Sequence, residues 1–164
     1  MAKKKVRPIP KEYHVVTPGL CVQNAPGFIA FCKKVFGAKV PVVLKGPGKS
    51  IMHAEVAIGD SRVMVGEETP GWPSKSAKTL GGTPVALMVY VVNCDAVFKK
   101  AVAAGATVRM PCADMFWGDR YGQIEDPFGN VWSIATHIED VSPKEMAKRA
   151  KAWMKSMAAQ GGGH

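Results

Sequence analysis

The stretch from Phe116 to Ile134 restricts this chain more than any other, because it reads as a β-hairpin and as little else. Asp126-Pro127-Phe128-Gly129 sits inside it; Pro presets φ at the first turn position and Gly accepts the left-handed conformation at the end. A three-residue loop with Gly129 left-handed closes Asp126 against Asn130 and sets Gln123 opposite Ser133. Side chains alternate along a strand, so Tyr121, Gln123 and Ser133 share a polar face while Ile124 and Trp132 take the apolar one. About 69 residues earlier the pattern recurs: 51–58, the turn Gly59-Asp60, then 61–65. Phe36-Gly37-Ala38-Lys39-Val40 and Ala104-Gly105-Ala106-Thr107-Val108 repeat a helix-to-strand junction at a similar interval. One supersecondary unit is used twice.

The remaining elements follow in order. Tyr13 to Val22 reads as a strand interrupted by Pro18-Gly19, hence an edge or a bulge. Asn24 is an N-cap with Pro26 in the first turn, and Phe28, Phe31, Cys32 and Val35 form the apolar stripe of a helix that Gly37 ends. Val40 to Lys45 is the next strand. Residues 67–83 are too punctuated by Pro and Gly for regular structure and form a linker or a flap, with Trp72 favouring partial burial. The second unit has a strand at 85–92, a helix at 95–104 with Val97, Phe98, Ala101 and Val102 as its apolar stripe, a strand at 107–110 and the 116–137 hairpin. Ser142-Pro143-Lys144-Glu145 is a capping box opening an amphipathic helix with Met146, Ala150, Trp153, Met154 and Met157 on its apolar side. The expected division is a basic flexible tail 1–12, a domain 13–141 (modules 13–66 and 84–137, loop 67–83), a helix 142–158 and a disordered tail 159–164.

Composition narrows the function classes. Among 164 residues no apolar run approaches the roughly 18 needed to span a membrane, and the lysine-rich start leads into Pro8 and Pro10, not an apolar signal core, so a cytoplasmic location is expected. Cys21, Cys32, Cys94 and Cys112 form no C-x-x-C pair and read as reduced buried thiols. The net charge of +9 lies in the ends: +5 over residues 1–11 and +4 over 142–164, with 12 basic and 12 acidic side chains between. A body without a basic stripe does not read as a specific nucleic-acid module, nor the chain as a membrane protein.

Phe31, Phe36-Gly37-Ala38, His53-Ala54-Glu55, Ile58-Gly59-Asp60-Ser61, Phe116-Trp117-Gly118-Asp119-Arg120 and Asp126-Pro127-Phe128-Gly129, in this order over 13–141, resemble the vicinal oxygen chelate superfamily, specifically its glyoxalase/bleomycin-resistance/dioxygenase branch and the PhnB-like subgroup. The resemblance implies an α+β fold of two paired βαβββ modules, a curled mixed sheet with a ligand cup, and a homodimer. Metal-dependent members carry one ligand on the first and last strand of each module; the matching positions here are Thr17, Met64, Ala86 and Ser133. An alanine, a thioether and two hydroxyls do not make a divalent-metal site, so no metal cofactor is expected.

Register places a different polar pair in the cup. With Gly59-Asp60 as a two-residue turn, Glu55 lies opposite Met64, and His53 shares its face. His and carboxylate can act as acid and base, help hold a relocated Zn, Ni, Mn or Fe, bind a polar ligand, or form a structural pair. Trp117, between loop residues and a Gly, has the position of a ring that closes a pocket. The expected function is binding of a small aromatic or drug-like molecule by Thr17, Met64, Ala86, Trp117, Tyr121, Gln123 and Ser133 with His53 and Glu55, as bleomycin-resistance relatives sequester a drug. The alternative is a lyase, isomerase or dioxygenase that uses His53 and Glu55. Asp119 and Arg120, adjacent on a strand, face opposite ways and make separate contacts; His137, at a strand end, is given no role.

Overall fold

The computed structural model describes residues 6–161, with side chains to Ala159. It contains two βαβββ modules. In the first, β1 (Gly19–Val22), α1 (Ala25–Phe36), β2 (Lys39–Lys45), β3 (Ile51–Ile58) and β4 (Ser61–Glu67) give a sheet of order β1-β4-β3-β2. A one-turn helix α2 (Ala77–Leu80) follows. The second has β5 (Ala86–Tyr90), α3 (Cys94–Ala103), β6 (Thr107–Asp114), β7 (Asp119–Glu125) and β8 (Val131–His137) in the order β5-β8-β7-β6. In each sheet the first strand runs parallel to the last and the other pairs are antiparallel. With α4 (Pro143–Gly161) this is the expected α+β architecture.

Local chemistry accounts for the helices. Asn24 Oδ1 accepts the Gly27 N–H at 2.9 Å and Asn93 Oδ1 accepts that of Ala96 at 2.9 Å, so both module helices open on an Asn N-cap. Gly37, at φ +65°, ends α1 with its N–H on the Lys33 carbonyl. Phe28, Ile29, Phe31, Cys32 and Val35 of α1 bury against β3 and β4, where Ala54, Val56, Val63 and Val65 alternate inward. Cys94 and Ala101 of α3 do the same over Ile124, Trp132 and Ile134. Ser142 Oγ caps α4 at Glu145 N, while the Glu145 carboxylate pairs with Arg149.

The chain divides into two compact units: residues up to Val85 together with Asp126–Asn130, and Ala86–Glu125 with the residues after Asn130. The β7–β8 turn thus groups with the first unit. Phe128 meets Phe28 edge-on at 6.0 Å, and the buried Asp126 carboxylate holds the turn by accepting the N–H groups of Phe128 and Asn130. Gly129 is left-handed at φ +87° and Asp126 N–H bonds Asn130 O, as the turn reading requires. The registers Gln123↔Ser133, Ile58↔Ser61 and Glu55↔Met64 also agree with it.

Several expectations are corrected. The first strand is only Gly19–Val22, because Pro18 has no N–H to donate; its carbonyl instead accepts Met64 N–H at 2.9 Å. The strand expected at 107–110 extends to Asp114, with register shifts that absorb Pro111. Segment 67–83 begins as the end of β4 and includes α2, capped by Ser76. Trp72 is 67% exposed, not partly buried. Cys21 and Cys112 are only partly buried, unlike Cys32 and Cys94. Helix α4 runs through Gly161, past the expected end at 158; the rest of the expected tail, like residues 1–5 of the N-terminal one, lies outside the described residues.

Candidate functional site

In the first module the sheet face away from α1 opens onto a cavity of about 750 Å³. Leu20, Ile51, Met52, Met64 and Trp72 line its apolar wall, and 68–75 forms one side. Its two acidic residues are committed to the fold. Glu67 accepts the N–H groups of Ala25 at 2.9 Å and Ile51 at 3.2 Å, placing a carboxylate at the N-terminus of α1, which has no acid in its own first turn. Glu68 accepts from the Thr79 hydroxyl at 2.6 Å, from Ser76 Oγ at 2.8 Å and from Ser76 N, and pairs with Lys75; these bonds, Thr79 first, hold its pKa down at about 2. The Cys21 thiol bonds the Ser74 carbonyl, the Ser50 hydroxyl that of Pro47 and the Thr69 hydroxyl that of Glu67. Among the described residues His53 makes no hydrogen bond; Glu55 Oε1 is 3.9 Å from its Nε2.

Glu55 has another partner. Arg62 Nη1 donates to its Oε2 at 2.6 Å, Arg62 Nε reaches the Glu12 carbonyl, and the guanidinium stacks 5.1 Å from the Tyr13 ring centroid. A hydrogen bond from Tyr13 to this carboxylate raises the phenol pKa. His53 and Met64 therefore line the cavity, whereas Glu55 stands beside it in an ion-pair cluster. Thr17 precedes β1 with its hydroxyl on the His14 carbonyl at 3.2 Å.

The face of the second sheet away from α3 carries two linked groups of polar side chains. Tyr121 Oη and Ser133 Oγ lie 2.8 Å apart, and Gln123 Nε2 donates to each at 3.3 Å. Nearer the sheet end, Asp119, 3% exposed, accepts Tyr90 Oη and Trp117 Nε1 on Oδ2, both at 3.0 Å, and meets His137 Nδ1 with Oδ1 at 2.8 Å. His137 Nε2 lies 3.0 Å from Asp140, and the two carboxylates, Asp119 first, raise the imidazole pKa. Trp117 packs edge-on to Phe116 and to Tyr121 at 5.0 and 5.6 Å. Arg120 turns the other way to Asp95 and Asp114, as alternation requires. Ala86 is exposed opposite Val131; across the parallel strand pairs Ser133 stands opposite Met88, and Met64 opposite Gly19.

The structure thus joins Tyr121, Gln123, Ser133 and Trp117 on one face and brings His53 and Met64 to one cavity. His137, which sequence reasoning set aside, is tied to Asp119 across adjacent strands, in register Asp119↔His137. Carrying the Gln123↔Ser133 pairing four residues outward would have found it.

A family model described as Glyoxalase/Bleomycin resistance protein/Dioxygenase superfamily matches residues 13–134. The chain belongs to this superfamily. The uncharacterised protein Rv0887c of Mycobacterium tuberculosis is 36% identical over 151 residues, spanning 90% of this chain and 85% of the relative. TioX from Micromonospora sp. ML1 superposes with a TM-score of 0.59 at 27% identity over 74% of this chain and 97% of that one. The PhnB protein from Bacillus cereus, at 18% identity, shares the fold: its TM-score is 0.60 over 75% of this chain and 99% of that one.

The residues at the positions where metal-dependent members of the superfamily carry ligands do not fit a divalent metal. At the matching positions the Thr17 hydroxyl is spent on a backbone carbonyl, the Ser133 hydroxyl on Tyr121, Met64 offers a thioether and Ala86 nothing. Among the described residues no group of three or more His, Cys, Asp or Glu is arranged to hold a metal ion. No helix among them is long and apolar enough to cross a membrane.

Proposed function

We propose that this superfamily member binds a small aromatic molecule in the first-module cavity, without a divalent metal, and works as a homodimer. The observation that carries the reading is the cavity's inventory of side chains. About 750 Å³ lies within the range of sites for drug-sized ligands. The wall offers Met52, Met64 and the Trp72 ring, soft and polarisable surfaces that accommodate aromatic rings. The acids on the wall are occupied by amides, hydroxyls and Lys75, which leaves His53 to meet a ligand. The ligand class is therefore a one- or two-ring aromatic with a single acidic or hydrogen-bonding group set against the imidazole. Glu55, neutralised by Arg62 and beyond hydrogen-bond reach of His53, gives no specific support to acid–base chemistry by that pair.

Thermal melting of the full chain against a panel of one- and two-ring aromatic carboxylates and phenols tests this. Compounds that raise the melting temperature of the wild type by mass action are expected to lose much of their effect on Trp72→Ala and His53→Ala. A panel without effect on the wild type, or an equal effect on all three proteins, rejects the reading. Elemental analysis is expected to find no stoichiometric Zn, Ni, Mn or Fe, and light scattering a particle of twice the chain mass.

A further inference from the structure

We propose that Cys94 and Cys112 form a redox pair that closes into a disulfide when the protein meets a low-molecular-weight disulfide, locking α3 to β6. Their sulfurs lie 3.4 Å apart, on the first turn of α3 and on β6. The elements are already fastened to each other at this point, because Arg120 on β7 bridges Asp95, next to Cys94, and Asp114 on β6. Gly122 makes room for the pair: a Cβ there would come within 2.8 Å of both Cys112 Sγ and the Phe98 ring. Closing the gap to a bond of about 2.05 Å needs rotation of one or both side chains within an arrangement that already points them at each other.

The two thiols have different access. Cys94 is 1% exposed and its S–H donates to the Ile134 carbonyl at 3.1 Å, whereas Cys112 is partly exposed. Cys112 is thus the entry point. Its thiolate attacks one sulfur of the small disulfide, forming a mixed disulfide and expelling one thiolate. Cys94, having released its proton to solvent, then attacks Cys112 Sγ and expels the second. Two protein thiols are oxidised to one disulfide, and one small disulfide is reduced to two thiols. Burial raises the pKa of both cysteines, that of Cys94 to about 12, so the reaction is slow at neutral pH and accelerates with alkalinity.

The test uses the full chain carrying Cys21→Ser, incubated with glutathione disulfide at pH 7.0 and 8.5 and analysed by intact mass and peptide mapping. The expected product is about 2 Da lighter than the reduced protein, carries one bond linking the Cys94 and Cys112 peptides, melts at a higher temperature and reverts with dithiothreitol. Its formation is expected to be roughly tenfold or more faster at pH 8.5. Adding Cys94→Ser should trap glutathione on Cys112; adding Cys112→Ser should leave Cys94 unmodified. No reaction at pH 8.5, a mixed disulfide that persists with Cys94 present, or a bond between other cysteines would each overturn the proposal.

Discussion

The two modules put corresponding residues to opposite uses. Register makes Met64 and Ser133 counterparts, as it does Glu55 and Gln123, and, one step further along each strand, His53 and Tyr121. In the second module these three side chains bond one another at 2.8 to 3.3 Å, so their polarity is consumed internally. In the first, a thioether cannot donate, the carboxylate is drawn off by Arg62, and the imidazole is left facing a cavity. A backbone plan repeated at a fixed spacing therefore fixes where side chains stand. Whether a face becomes structure or site depends on whether its polar groups satisfy one another.

The largest effect that would sharpen this contrast is expected at Asp119. Replacing it with alanine strips Tyr90, Trp117 and His137 of a shared acceptor, and we expect a loss of about 3 kcal/mol in chemical denaturation. A loss below about 1 kcal/mol would mean that the second face is not the rigid network described. Exchanging counterparts comes next. Ser133→Met should cost about 2 kcal/mol, because it breaks the Tyr121–Gln123–Ser133 group and crowds a buried position. Met64→Ser, on a cavity wall, should cost under about 1 kcal/mol. Equal costs would erase the distinction between the modules.

The smallest effect concerns pH. Asp119 and Asp140 raise the His137 pKa above its unfolded value, so the imidazolium contributes stability that is fully present below about pH 6.5 and lost as pH rises through the folded value. Stability of the wild type should fall across that window, and the slope should flatten in His137→Gln. An unchanged slope in the variant would show that this imidazole is not the titrating group.

Much of the fold was legible because its signals are local. The Asp126-Pro127-Phe128-Gly129 and Gly59-Asp60 turns determine register, and register places Glu55 against Met64 and Gln123 against Ser133. What escaped depends on distant partners. Arg62 claims Glu55 from the neighbouring strand, and nothing in His53-Ala54-Glu55 signals it. Asp119 and His137 are separated by a whole hairpin, and the exposure of Trp72 follows from how 68–75 stands beside the sheet. Thr17 falls outside the strand for a local reason that was visible: Pro18, next in the chain, has no N–H to donate to a ladder.

Fluorescence titration with naphthalene-1-sulfonate, a two-ring aromatic with one acidic group, tests the ligand site most directly. Binding to the wild type should saturate at one site per chain, weaken strongly in Met64→Trp, which pushes an indole into the cavity, and weaken about two- to tenfold in His53→Ala. Ser133→Ala should bind like the wild type. Undiminished binding by a folded Met64→Trp protein would contradict the assignment of the first-module cavity as the site.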